Sequence, residues 1–229
     1  MVNLTKSQPA PECLAAEQAK SNGSVRNCPE VRERLGVDFH KKCYLCERHD
    51  ISMEIEHFIP HKGDKTLEFD WTNLFLACRD CNKAKGTQID LLNCTNPNDD
   101  VLHWMEYRYE IENLSAKVSI HPVNDNIRTS NTANLLTTIF NSTSDEGRFY
   151  APILRTKLAE EIQSIETVIE TLLTRKQEGL SIQDDYLALE QHLSIASPFF
   201  AFKYWFLRTH TLYSREFQNL LDNAPLTAA

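Results

Sequence analysis

Cys43-Tyr44-Leu45-Cys46, Glu56-His57-Phe58-Ile59-Pro60, Trp71-Thr72-Asn73-Leu74 and Cys78-Arg79-Asp80-Cys81-Asn82-Lys83-Ala84-Lys85-Gly86 are the stretches that decide the fold. Two Cys-x-x-Cys pairs stand 31 residues apart, between Cys46 and Cys78. Pairs at this spacing can set four thiolates tetrahedrally around one Zn²⁺, with Tyr44-Leu45 and Arg79-Asp80 as the tight turns. The competing reading is two unrelated turns or redox thiols, but two pairs of identical spacing in a chain without a secretion signal favour metal. A site with four protein ligands is closed to substrate. Zinc held by Cys43, Cys46, Cys78 and Cys81 is therefore expected to staple the module and take no part in chemistry.

Working outward, Met53 to Ile59 alternates apolar and polar residues as a strand does, and Pro60 stops it. His61-Lys62-Gly63-Asp64-Lys65 is turn-rich. Leu74-Phe75-Leu76-Ala77 is a short apolar run, strand or buried turn. Arg79 to Lys85 is long enough for one or two helical turns, with Gly86 placed to cap it.

The order acid-His-x-x-Pro, then Asn-Leu, then Cys-x-x-Cys-Asn-x-x-Lys resembles the HNH, or ββα-metal, endonuclease motif. The resemblance implies a metal-dependent phosphodiester hydrolase. It makes His57 the general base, a role that suits an imidazole near neutral pH. It places Glu56 and Asn82 at a catalytic divalent ion, most often Mg²⁺, for which oxygen donors are appropriate. Asn73 matches the middle Asn, which orders the loop by hydrogen bonds to backbone and so positions the His; the bland reading is a turn Asn. Asn82 stands where His is commoner, which argues against a zinc-preferring catalytic site. Strand alternation sends Glu56 and His57 to opposite faces, so a bend before Pro60 is needed to bring both to a phosphate. His61 is expected to have no site role. Lys83 and Lys85 read as phosphate contacts or as a solvated face, and Glu47 as a residue without a role.

Lys42-Cys43-Tyr44-Leu45-Cys46-Glu47, the Glu56 to Pro60 segment and Asp70-Trp71-Thr72-Asn73-Leu74 are similar to a narrower family, PtuB, the HNH subunits of Septu and retron-linked anti-phage systems. That resemblance implies an ATPase partner of the PtuA kind, and in retron-linked systems retron RNA or DNA.

The flanks are expected to be helical. Glu12 to Gln18 forms a short helix ended by Ser21-Asn22-Gly23-Ser24, and Pro29 opens a second at the first-turn position. Leu154, Leu158, Ile162, Ile165, Ile169 and Leu172 form a seam at heptad spacing, read as an amphipathic bundle helix or a coiled-coil contact. Gly179 ends that helix, and Ser181 or Asp184 starts another. Pro198 opens Phe199 to Leu207, apolar around nearly its whole circumference, as in a core helix or one docked on another chain. The expected fold is α+β and mostly helical. A zinc-stapled HNH module at 39–95 lies between an N-terminal helical segment, 1–38, and a C-terminal helical bundle, 96–229, read as the partner-binding and assembly region.

At 229 residues the chain can build one good core or two small ones. No apolar run approaches the ~20 residues of a membrane helix, and MVNLTKSQPAPE has no signal-type stretch; a soluble cytoplasmic protein is expected. Cys13, Cys28 and Cys94 are expected to be ordinary small apolar residues. The formal net charge of −8 sits awkwardly with phosphate-backbone binding. It leaves two explanations: a partner supplies the grip, or a local basic strip is outvoted elsewhere. Besides the anti-phage effector nuclease, two readings stay open: a standalone restriction-type HNH DNase, and a non-enzymatic zinc-ribbon nucleic-acid-binding module. The Glu56, His57 and Asn82 set argues against the last.

Overall fold

The computed structural model describes every residue except 50, 51, 113, 114, 146 and 226–229. The chain opens with two short helices, α1 (Glu12–Gln18) and α2 (Pro29–Asp38). The module follows as β1 (Met53–His57), α3 (Lys65–Glu68), β2 (Leu74–Cys78) and α4 (Arg79–Lys85). Beyond it come β3 (Met105–Glu112), β4 (Ser115–Pro122), α5 (Ile127–Asn141), α6 (Gly147–Gln177) and α7 (Gln183–His192). The helices α8 (Phe200–Thr209), α9 (Thr211–Glu216) and α10 (Gln218–Asn223) close the described chain. No helix among the described residues is long and apolar enough to cross a membrane.

The fold is mostly helical with two separate two-stranded sheets, β1–β2 and β3–β4, both antiparallel. The reading of the C-terminal region as mostly helical holds but did not place the second hairpin. Met105-Glu106-Tyr107-Arg108-Tyr109-Glu110-Ile111 alternates with period two, and the face carrying Met105 and Tyr107 is buried. The long seam behaves as its spacing predicts. All six residues from Leu154 to Leu172 are buried in α6, and Gly179, at φ +71°, turns the chain out while Leu180 N–H donates to the Arg175 carbonyl at 2.9 Å.

Most of the apolar circumference of α8 is satisfied inside the chain, with Trp205 and Phe206 half-buried. Phe200, Phe202, Tyr204 and Leu207 are buried, and the Phe202 ring lies 5.0 Å from both Tyr107 of β3 and Phe140 of α5. Lys203, on the same helix, is enclosed with Glu161 of α6 at 2.9 Å. An all-round apolar helix thus packs into the centre of this core, and the aromatics that meet Tyr107 and Phe140 serve the fold of the chain itself. Phe202→Ala should cost about 3–5 kcal/mol, the usual penalty for emptying a buried aromatic site. Denaturant unfolding measures it, and light scattering should show no change in size. A change in association with stability intact would restore the assembly reading.

One buried cluster runs from Met1, Val2 and Leu4 through the module to Leu221. Polar latches join the first cysteine turn to the C-terminal helices. Lys42 Nζ donates to the carbonyls of Ile195 at 2.6 Å and Ser197 at 3.0 Å. Glu47, expected to be idle, is buried and accepts from the Ala201 N–H at 2.8 Å, at the first turn of α8. The cysteine reading needs one correction. Cys13 and Cys28 form a disulfide, because the turn after α1 brings its first turn beside the residue preceding α2, with Cα atoms 5.6 Å apart. Sequence spacing does not reveal that approach. Cys94 is a fully buried free thiol, pushed up to about 12 by burial.

Candidate active site

The first cysteine turn is held against β2 by the Tyr44 N–H donating to the Leu76 carbonyl at 3.0 Å. The second begins at the last residue of β2, Cys78, and ends inside α4 at Cys81. Arg48 Nη2 and Asp80 Oδ2, 2.6 Å apart, tie the two turns together. The four Sγ atoms lie within 4.8 Å of one another, all buried, with Cys46 and Cys78 3.9 Å apart. A tetrahedron with metal–sulfur bonds of about 2.3 Å has edges of about 3.8 Å. The donor set therefore fits one zinc ion with no position left for substrate. Hydrogen bonds from the other three thiols draw the Cys78 thiol well below its ordinary value.

The strands pair in the register Met53 with Cys78 through His57 with Leu74, and α4 packs across both. The helix begins where β2 ends because Cys78, in extended conformation, is its N-cap, and it stops at Gly86, whose φ is +53°. Strand alternation puts Glu54 and Glu56 on one face of β1. Helix geometry puts Asn82 and Lys85, three apart, on one face of α4. The two faces meet as two rungs. Asn82 Nδ2 donates to Glu54 Oε2 at 2.9 Å, and Lys85 Nζ lies 2.7 Å from Glu56 Oε1. Lys85 also donates to the His57 carbonyl at 3.3 Å. Both members of the Glu56–Lys85 pair are buried, so Lys85 is neither a solvated residue nor a phosphate contact in this structure. Burial pushes the Glu56 carboxyl up, and Lys85 draws it back toward the charged form.

His57 sits at the end of β1 with Nε2 2.9 Å from the Glu68 carbonyl of α3. A carbonyl only accepts, so Nε2 carries the proton and Nδ1 keeps its lone pair. Burial lowers the pKa of the ring, which favours the neutral imidazole a base must be. Asn73 stitches the loop that carries this arrangement. Its Oδ1 accepts from the Ile59 N–H at 2.7 Å, and its Nδ2 donates to the carbonyls of Ile59 at 2.9 Å and Leu67 at 3.0 Å. Its backbone carbonyl takes the Phe58 N–H at 2.9 Å. Removing the three side-chain bonds takes partners from half-enclosed backbone groups, at about 0.5–1.5 kcal/mol each. Asn73→Ala should thus lower the melting temperature and the cleavage rate together while leaving divalent-metal affinity at the parental level, measured by calorimetry and initial rates.

An open cleft of about 980 Å³ runs along this face, lined by His57, Asn82, Glu54, His61, Glu68, Arg26, Arg32 and Arg79 among others. It brings His57 and Asn82 to one surface, whereas Glu56 is not among its lining residues. His61, set aside on the sequence, belongs to the cleft, its ring 4.6 Å from that of His57. Pro60 excludes a helix there but not a turn that folds His61 back, which is why helical spacing was the wrong guide. Glu54 was also passed over, although period-two alternation from Glu56 was a signal for it.

A family model described as HNH endonuclease matches residues 43–88. The Septu protein PtuB of Bacillus thuringiensis is 35% identical over 78 residues, a stretch covering 32% of this chain and 30% of that protein. The matched stretch of this chain therefore spans well under half the length of that relative. The geometry and the family match together make residues 43–88 a cysteine-clamped ββα module of the HNH endonuclease type.

Proposed function

We propose that this protein is a metal-dependent HNH endonuclease that hydrolyses nucleic-acid phosphodiester bonds, acting as the effector of a Septu-type anti-phage assembly. The observation that carries the chemistry is His57, with its proton fixed on Nε2 and Nδ1 left as the base, in the same open cleft as Asn82 and a strand carboxylate. His57 Nδ1 removes a proton from the attacking water, and Asn73 keeps the His57 loop in register. Oxygen donors from Asn82 and β1, where the family resemblance points to Glu56, suit a hard divalent cation such as Mg²⁺. When bound, that ion supplies charge neutralisation at the phosphate. Cys43, Cys46, Cys78 and Cys81 would hold zinc as a staple, and the buried Glu56–Lys85 pair anchors the strand to the helix.

The similarity to PtuB supports a Septu-type nuclease; the motif resemblance further implies a PtuA-like ATPase partner and, in retron-linked systems, retron nucleic acid, and the proposed setting is the cytoplasm. A net charge of −8 agrees with a partner sharing the grip on substrate. The standalone DNase reading is favoured by one observation, the three arginines along the cleft, though Glu33, Glu54 and Glu68 share the same walls. Cleavage of DNA and of RNA, with Mg²⁺ present or chelated, and with the chain alone or co-purified with its partner, decides between them. Mg²⁺-dependent cutting that requires the partner is expected. Efficient cutting by the chain alone favours the standalone enzyme, and no cutting of either polymer in any combination removes the nuclease reading.

A further inference from the structure

The site contains two candidate carboxylates on one strand face, and their surroundings differ. Glu56, at the position the family resemblance assigns to the metal, has Oε1 engaged by Lys85 at 2.7 Å, and both side chains are enclosed, at 8% and 0% exposure. Glu54 is 36% exposed and lines the cleft together with His57 and Asn82. Mg²⁺ dehydrates reluctantly and keeps several waters, so its protein donors must reach solvent. Glu54 meets that condition. It is also the carboxylate that Asn82 touches, through Nδ2 at 2.9 Å, and a half-turn of that amide would bring its carbonyl oxygen to the same carboxylate. A carboxylate oxygen and an amide oxygen side by side are the donors a hard cation selects.

Resting on the nuclease reading above, we propose that Glu54 is a ligand of the catalytic divalent cation, jointly with Asn82. Its other contact, Arg79 Nε on Oε1 at 3.1 Å, involves an arginine that is 74% exposed. An ion pair so open to solvent is weak and readily exchanged for a divalent ion. The bland alternative is that Glu54 serves only Arg79 and Asn82. That alternative predicts a stability effect with no effect on cation binding.

Mn²⁺ titration of the zinc-loaded full chain, by calorimetry or by loss of the free-ion paramagnetic signal, separates the two. Glu54→Gln should lower Mn²⁺ affinity by at least the about 10- to 100-fold typical of losing a group that supports a bound metal, with zinc content and melting temperature near parental. Glu33→Gln, a carboxylate of the same cleft, should leave affinity unchanged, which excludes a general loss of negative potential. Arg79→Ala keeps Glu54 and removes a competing cation, so it should bind Mn²⁺ more tightly at low salt. Parental affinity in Glu54→Gln, or in Arg79→Ala, overturns the assignment while leaving the nuclease reading intact if the parent still cuts with Mg²⁺. A parent that neither binds Mn²⁺ nor cuts sinks both.

Discussion

His57→Ala is expected to reduce cleavage by about 10²- to 10⁴-fold, the range that removal of a general base produces. The geometry sets what should stay constant. His57 contributes one ring hydrogen bond to the Glu68 carbonyl and no contact to the cysteine cluster. The fold should therefore lose only the roughly 1 kcal/mol of a single hydrogen bond, and the zinc content nothing. Affinity for Mn²⁺ should hold as well, which separates a lost base from a lost ligand. His61 is unsuitable as the inert comparison because its ring stands 4.6 Å away in the same cleft. His121, exposed on β4 with its ring Nε2 3.0 Å from the Ser119 hydroxyl, serves instead, and His121→Ala should cut at the parental rate. Parental cutting by His57→Ala would show that the base lies elsewhere, with His61 the first candidate.

The second large effect concerns the cysteine cluster. Structural four-thiolate zinc contributes an apparent ~10–16 kcal/mol in small zinc-dependent folds. Whole domains are stable by only about 5–15 kcal/mol. Chelation, or Cys81→Ser, should accordingly unfold the module. The failure should spread, since the first cysteine turn is latched to the C-terminal helices through Lys42 and Glu47. Parental protein should contain about one zinc per chain, and circular dichroism after chelation should show cooperative loss of structure. Cys94→Ala is the matched control. Cys94 is buried but lies outside the four-cysteine group, so zinc stoichiometry should be kept. A zinc-free protein with a parental melting curve would end the staple reading.

Much of this molecule was written in local pattern. The two cysteine pairs, the alternation of Met53 to His57 and the Gly86 stop made the module legible, because each depends on spacing along one element. The α6 seam was equally plain, since one face of a helix is set by its own period. The β3–β4 hairpin was legible too, in the alternation around Tyr107, but stands among segments with helical patterning and was passed over. What pattern could not settle was the choice among partners that only packing brings together. An apolar helix such as α8 reads the same whether its aromatics meet Tyr107 and Phe140 or another chain. Cys13 and Cys28 look like isolated apolar residues until the turn after α1 brings the two within bonding reach. Two glutamates on one strand face are equivalent in sequence. Only the docking of α4 put buried Lys85 against Glu56 and solvent-facing Asn82 against Glu54. The motif alone pointed to a base, a staple and oxygen donors. Tertiary structure decided which carboxylate is left open to water, because burial and pairing are properties of the packed faces and not of either strand or helix by itself.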